Sequence, residues 1–313
     1  MEKNMGKLII AVLLGGISTE RDISLISGKE VVKNLDKKKY EVKIYDPKTD
    51  LTKLIKDRLE IDLAFPVLHG RGGEDGAIQG FLELLNIPYV GSGILASSLA
   101  IDKYMAKKIF ESSNILVPDY KIYNKKDTIE LNKIKVPCVV KPIGQGSSVG
   151  VNIVKDKLDI KRAISKAFFY ENRIVIEQFI SGKEITVGVI GNDNPISLPI
   201  VEIVPPSGRF FDREVKYNGE TKEIIPARLD ENTASIAKEI AIKCHQSLGC
   251  RGFSRTDMIV KKSMSRGRSK VYVLETNTIP GMTSKSLFPN AARAAGIVYP
   301  ELLDKLISLA LEK

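Results

Sequence analysis

The stretch LETNTIPGMTSKSL runs from Leu274 to Leu287. It opens as the end of a strand, continuing Val271-Tyr272-Val273, and breaks at Pro280-Gly281. Side chains alternate along a strand, so Glu275 and Asn277 point the same way. A carboxylate and a carboxamide thus share one face. A glycine turn and four hydroxyl-bearing residues (Thr278, Thr283, Ser284, Ser286) follow at once. Upstream, Gly252-Phe253-Ser254-Arg255-Thr256-Asp257-Met258-Ile259-Val260 reads as a second strand, with Arg255 and Asp257 on one face. A hairpin turning near Arg266-Gly267 brings Asp257 within about one position of Glu275 and Arg255 near Asn277. Oxygen donors without His or Cys suit Mg²⁺, which completes its octahedron with phosphate oxygens. The plainer reading is a cross-strand salt bridge on a solvated face. Opposed Asp and Glu disfavour it, because they repel without a cation.

Working outward, the first hundred residues alternate short apolar strands (7–14, 40–46, 62–67, 88–90) with amphipathic helices (20–35, 75–86, 94–113). That order implies a parallel sheet covered on both faces, with ligands beyond the carboxyl ends of its strands. Two loops occupy those ends, GGISTE (15–20) and HGRGGEDG (69–76). From about 115 the strands come in close succession: 117–123, 136–141, 150–154, 173–179 and 184–190. One helix, 157–170, interrupts them, as in a small α+β unit. A third region has strands near 196–204, 222–226, 253–261 and 270–277. Its helices are at 231–248, 287–296 and 299–312. The polar, weakly patterned segment 205–221 reads as a functional loop or lid.

The 313 residues allow two or three domains with their own cores. Three cysteines (Cys138, Cys244, Cys250) make no disulfide framework and read as core filler in a reducing compartment. The apolar run Leu8–Leu14 is too short for a membrane span, which needs about 20 residues. Its Gly15-Gly16 and charged sequel fit a buried first strand. A cytosolic protein is expected. The net charge is +10, yet residues 1–100 carry 14 basic and 14 acidic side chains, so the excess lies beyond them. Part of it is Lys261, Lys262, Arg266, Arg268 and Lys270, which read as a solvated hairpin turn. No aromatic interleaving or RNA- or DNA-binding signature accompanies it. Cys244 and His245, on the 231–248 helix, read as packing.

Val139-Val140-Lys141-Pro142-Ile143-Gly144-Gln145-Gly146-Ser147-Ser148-Val149-Gly150 is a buried strand ending in Lys, then a loop of glycines and serines. Glycine lets backbone N–H groups cradle phosphate oxygens, and Lys141 adds a point charge. It leads to a strand rather than a helix, so it is not a Walker loop. In Arg173–Glu184 a strand runs into a short linker with Glu177 and Glu184 at either end. That is acceptor chemistry an adenosine needs, though taken alone the two acids read as ordinary solvated side chains.

Together GGISTERDISLISG (15–28), HGRGGEDG (69–76), GSG…DK (91–103), VVKPIGQGSSVGV (139–151), FFDREVKY (210–217), GFSRTD (252–257) and LETNTIPGMTSKSLFP (274–289) resemble the D-alanine–D-alanine ligases of the ATP-grasp superfamily. The resemblance spans nearly the whole chain in the right order. It implies an ATP-grasp fold of α/β and α+β parts. A parallel-sheet α/β domain (1–100) would precede two α+β subdomains, 101–184 and 185–313, that clasp ATP. It implies that ATP phosphorylates one D-alanine and that the amine of a second attacks the acyl phosphate, giving the dipeptide of peptidoglycan precursors. Asp257, Glu275 and Asn277 would hold two Mg²⁺, with Mn²⁺ as a substitute. Lys103, Lys141, Gly146, Ser147 and Ser148 would contact phosphates. Glu177, Glu184 and the backbone of Phe179 and Ile180 would take adenine and ribose. Glu20 would meet the first substrate's ammonium and His69 its carboxylate. Arg255 and the Gly281 N–H would face the oxyanion. Ser286 and Leu287 would hold the second carboxylate at a helix start. Tyr217 would close the lid through Ser147 and Glu20, and Lys216 would reach the transferring phosphoryl group. A homodimer, with no nucleic acid or membrane partner, is implied. Lys285 would assist carboxylate binding or face solvent. The near alternative is a sister ligase that takes D-lactate or D-serine as acceptor, Tyr217 arguing against D-lactate. The distant one, suggested only by the charge, is a non-enzymatic nucleic-acid binder.

Overall fold

A computed structural model describes residues 6–146, 149–206, 221–262 and 269–312. The amino-terminal sheet has the order β2-β1-β3, all parallel, from β1 (Leu8–Leu13), β2 (Tyr40–Tyr45) and β3 (Leu63–Pro66). Helices α1 (Arg21–Asn34), α2 (Leu51–Asp57) and α3 (Ala77–Leu84) connect them or follow them. Alternation on β1 sends Ile10 and Val12 to one core and Ala11 and Leu13 to another, so the sheet is buried on both faces. The strand expected at 88–90 shrinks to one parallel bridge, Ala64 with Tyr89, since Pro88 has no N–H to extend the ladder.

The single helix expected over 94–113 is two, α4 (Ile94–Ile101) and α5 (Lys103–Ser112). Asp102 breaks it with extended backbone (ψ 99°), and its side chain accepts the N–H groups of Tyr104 and Met105. An Asp N-cap competes with helix continuation through just such bonds. The break puts Lys103 at the first position of α5.

The second sheet is antiparallel, β4-β7-β5-β6, from β4 (Tyr120–Asn124), β5 (Cys138–Pro142), β6 (Asn152–Val154) and β7 (Arg173–Gln178). Helix α6 (Ile160–Tyr170) covers it with Ile160, Ile164 and Ala167. The strand read at 184–190 belongs elsewhere. β8 (Lys183–Ile190) lies between β10 (Val201–Val204) and β12 (Phe253–Lys261), with β9 (Ile196–Ser197), β11 (Lys222–Ile224) and β13 (Lys270–Asn277) completing a six-stranded sheet. Six consecutive residues of β8, Ile185 to Ile190, are buried, as a central strand requires. Helix α7 (Glu231–Ser247) packs Ala237, Ala241 and Cys244 on one face of this sheet. On the other, Phe288 of α8 (Leu287–Ala294) and Leu303 of α9 (Tyr299–Leu311) share a core with Ile10, Val12 and Phe65. The three cysteines are free and buried, and burial pushes the Cys250 thiol up to about 12. His245 is wholly buried too.

Candidate active site

β12 and β13 pair antiparallel from Lys261 opposite Lys270 to Arg255 opposite Asn277. The register slips once, because Met258 faces Val273 while Asp257 faces Glu275. Leu274 is therefore an extra residue, a β-bulge. Without it, alternation would send Glu275 and Asn277 to the same side as Val271 and Val273, into the core. The bulge turns them onto the face of Arg255 and Asp257. The two carboxylates are thus directly opposed, as the hairpin reading requires.

The chain answers that opposition with its own cations. Arg255 donates Nε and Nη2 to the two oxygens of Asp257, each at 2.9 Å, and Thr186 Oγ1 donates to Oδ1 at 2.5 Å. Lys103 Nζ lies 3.3 Å from Glu275 Oε2. Asn277 Oδ1 accepts the Ile279 N–H at 2.9 Å. Among the described residues no group of three His, Cys, Asp or Glu could hold a metal unaided. Two carboxylates and a carboxamide nevertheless fit Mg²⁺, a hard cation that takes few protein oxygens and fills its shell from phosphate and water. Repulsion between Asp257 and Glu275 is not by itself a sign of metal, because Arg255 and Lys103 relieve it.

A cleft of about 830 Å³ opens over this face. Glu20, His69, Lys103, Gly146, Arg255, Glu275, Asn277, Gly281, Ser286 and Leu287 all line it, whereas Asp257, Lys141, Glu177, Phe179, Ile180 and Glu184 do not. Lys285 also lines it, which leaves it facing the cleft rather than only solvent. At one end Glu20 and His69 are buried beside a third such group, Glu74. His69 Nδ1 is 3.8 Å from Glu74 Oε1, and the Gly70 N–H donates to Glu74 Oε2 at 3.0 Å. A side chain on Gly146 would meet Glu20 Oε2 at 2.6 Å, so a larger residue here would push that carboxylate aside.

Lys103 ties the glycine-rich loop to the bulged strand: besides Glu275, its Nζ donates to the Gln145 carbonyl at 2.7 Å. Glu171, unmarked by any motif, accepts the Gly144 N–H at 2.7 Å and anchors the start of the loop. Lys141 Nζ is 2.7 Å from Glu177 Oε1, and Lys107 Nζ is 2.9 Å from Oε2. Burial works against a charged Glu177, yet the two ammonium groups outweigh it and hold the carboxyl below its ordinary range. Lys107 was invisible in the motifs, though its spacing of four from Lys103 puts both on one helical face. The Phe179 N–H donates to the Pro137 carbonyl at 3.3 Å, while Ile180 is buried. Glu184 pairs across to Ile203 and Ile259 in the large sheet.

At the opposite end Ser286 precedes α8 as its N-cap, with extended backbone, and Leu287 is the first helical residue. The Ser286 hydroxyl exchanges a 2.7 Å bond with Thr283 Oγ1 and accepts the Thr283 N–H. The leading N–H groups of a helix suit a carboxylate. Glu223 lines the same end, and burial pushes its carboxyl upward against the Asn290 amide and Arg255. Ser147, Ser148, Lys216 and Tyr217 lie outside the described residues, as do Arg266, Gly267 and Arg268.

Residues 109–308 match the family described as D-ala D-ala ligase C-terminus, and residues 9–52 and 46–92 match D-ala D-ala ligase N-terminus. The chain is 46% identical to the D-alanine–D-alanine ligase of Syntrophobacter fumaroxidans, over 98% of each chain. It belongs to the D-alanine–D-alanine ligase family. The ligase of Bacillus anthracis, solved with ATP, is similar at TM-score 0.83 and 36% identity over 97% of each chain. A D-Ala:D-Ser ligase of Enterococcus faecalis is similar at 0.81 and 32% identity, covering 98% of this chain and all of that one. Ligases of this family have the ATP-grasp fold, and the parallel and antiparallel sheets here fit it.

Proposed function

We infer that this chain is an ATP-dependent ligase that joins two D-alanines into D-alanyl-D-alanine for peptidoglycan precursors. The observation that carries the site reading is the convergence of Arg255, Glu275 and Asn277, on the bulged face they share with Asp257, with Glu20 and His69 across one cleft. Glu20 binds the ammonium of the first D-alanine, and His69 lies beside its carboxylate. That carboxylate attacks the terminal phosphate of ATP, giving an acyl phosphate and ADP. The amine of the second D-alanine, having lost a proton, attacks the acyl carbon, and phosphate leaves. Arg255 and the Gly281 N–H face the oxygen that gains charge, where fixed donors act most strongly. Ser286 and the Leu287 N–H hold the second carboxylate.

Lys103, Lys141, Gly146, Ser147 and Ser148 receive the phosphates. Glu177, Glu184, Phe179 and Ile180 receive adenine and ribose. Asp257, Glu275 and Asn277 are the residues that would hold two Mg²⁺, or Mn²⁺, which would supply positive charge to offset that of the phosphates. Tyr217, with Ser147 and Glu20, closes the lid at 205–221, and Lys216 reaches the phosphoryl group. We further infer units of 1–100, 101–184 and 185–313 and a homodimer working in the cytoplasm. Among the described residues no helix is long and apolar enough to cross a membrane.

The test is phosphate release from ATP and Mg²⁺ with D-alanine, L-alanine, D-serine and D-lactate offered singly and in pairs, and products identified by mass. Dipeptide from D-alanine alone is expected. No release with D-alanine, or equal release with L-alanine, refutes the reading.

A further inference from the structure

Lys107 is the charged side chain that the site description leaves without a task. It is 1% exposed and sits on the buried face of α5, four residues after Lys103. Its Nζ lies 2.9 Å from Glu177 Oε2 and 5.4 Å from the centre of the Tyr120 ring. Lys141 Nζ holds the other oxygen of Glu177 at 2.7 Å. Two ammonium groups thus share one buried carboxylate and leave an excess of one positive charge. Burial lowers the proton affinity of Lys107, the neighbouring Lys141 adds to that, and Glu177, with a smaller share from Glu275, opposes it.

Such an arrangement is a poor stabiliser, since apolar side chains of similar volume fill a core at lower cost. It makes chemical sense where an anion arrives. An ammonium group shared between a carboxylate and a phosphate oxygen brings two anions together. Glu177 then needs a counter-ion of its own, or it repels the phosphate and takes up a proton. Lys107 is placed to be that counter-ion, because it touches Glu177 from inside the protein, its side chain 1% exposed against 7% for Lys141.

We propose that Lys107 is a positioning residue for the nucleotide: it keeps Glu177 ionised and aimed, and so releases Lys141 to the phosphates. This rests on the reading of Lys141 and Glu177 as nucleotide-binding groups. Lys107 itself touches neither ATP nor D-alanine.

The experiment uses the full chain as wild type, Lys107→Met, Glu177→Gln and the double variant, with folding checked by circular dichroism. Calorimetry with Mg²⁺ and ADP gives nucleotide affinity, and steady-state kinetics give KM for ATP, KM for D-alanine and kcat. Lys107→Met is expected to weaken ADP binding and raise KM for ATP at least tenfold, with KM for D-alanine within twofold and kcat within threefold. A folded Lys107→Met with ADP affinity within threefold of wild type overturns the proposal, as does a fall in kcat alone. Where Lys107→Met does not fold, the double variant, which removes Lys107 together with its carboxylate and leaves Lys141 without that partner just as Glu177→Gln does, is compared with Glu177→Gln. Equal ADP affinities of those two support action through Glu177, and a further loss in the double variant overturns it. Wild-type phosphate release with D-alanine tests the ligase reading separately, because ADP calorimetry needs no turnover.

Discussion

His245 sets a limit on stability in acid that can be worked from its surroundings. It is wholly buried on α7, and its Nδ1 shares a 2.8 Å bond with the equally buried Ser254 hydroxyl. Burial lowers its pKa from 6.5 to about 4, opposed only by the neighbouring Gly191 backbone. The folded chain therefore keeps this ring neutral while the unfolded chain protonates it near 6.5. Between those values the unfolded state binds more protons, so stability falls as pH falls. The contribution is fully present above about pH 6.5 and is lost progressively down to about pH 4. At about 1.4 kcal/mol per tenfold change in proton affinity, the whole gap is worth roughly 3 kcal/mol. Between pH 7 and pH 5 it is about 2 kcal/mol, or roughly 3 °C in melting temperature for a chain this long.

His245→Asn removes the titration and keeps a polar group where Nδ1 meets Ser254. The smaller side chain costs some packing, but equally at every pH. Urea unfolding followed by circular dichroism at pH 5, 6 and 7 should show the wild type losing about 2 kcal/mol more than the variant across that range. His69 is the other of the two histidines and is present in both proteins, so it cancels in the difference. Parallel pH profiles, with a constant gap between the two proteins, would refute a buried neutral His245.

Three changes in the cleft have clear signs. Glu275→Gln removes one of the opposed carboxylates, so the Mg²⁺ concentration for half-maximal activity should rise at least tenfold while the fold is retained. An unchanged Mg²⁺ requirement would remove Glu275 from the metal site. Arg255→Lys replaces a planar fork that bonds both oxygens of Asp257 by a point charge, so kcat/KM should drop at least tenfold, and near-normal turnover would take Arg255 away from the oxyanion. Gly146→Ala puts a methyl group 2.6 Å from Glu20 Oε2 and should raise KM for the first D-alanine at least tenfold with an unaltered circular-dichroism spectrum, whereas an unchanged KM would separate Glu20 from that substrate.

The amino-acid pattern announces the type of most elements, since long apolar-periodic helices and buried runs carry their own period. β12 and β13 begin and end where the alternation says they do. Residues 94–113 misled for a physical reason: every residue but Asp102 is compatible with one helix, and Asp102 acts through a cap that competes with continuation. The placement of β8 misled because strands close in sequence need not share a sheet, and pairing is decided by burial of both faces. In the site, glycine-rich and acid-rich motifs mark residues in and around the cleft. They pass over Lys107 and Glu171, which contact Glu177 and Gly144 from behind and stand in no recognisable string.

The bulge at Leu274 shows most sharply what a pattern of residues leaves open. Read by strict alternation, Val271, Val273, Glu275 and Asn277 fall on one face, and a carboxylate would have to share the core with two valines. Burying it there unpaired is prohibitive, so alternation and burial conflict within seven residues. One extra residue resolves the conflict, keeping Val271 and Val273 against α7 while Glu275 and Asn277 turn to the cleft. The conflict is visible in the sequence, but its remedy is not, because alternation alone does not say that Leu274 is left unpaired. Once placed, the bulge brings two like charges face to face. Arg255 arrives from the same strand and Lys103 from the start of α5 to hold them. The helix break at Asp102 and the bulge at Leu274 are thus two halves of one construction, since the first delivers the cation to the carboxylate that the second exposes.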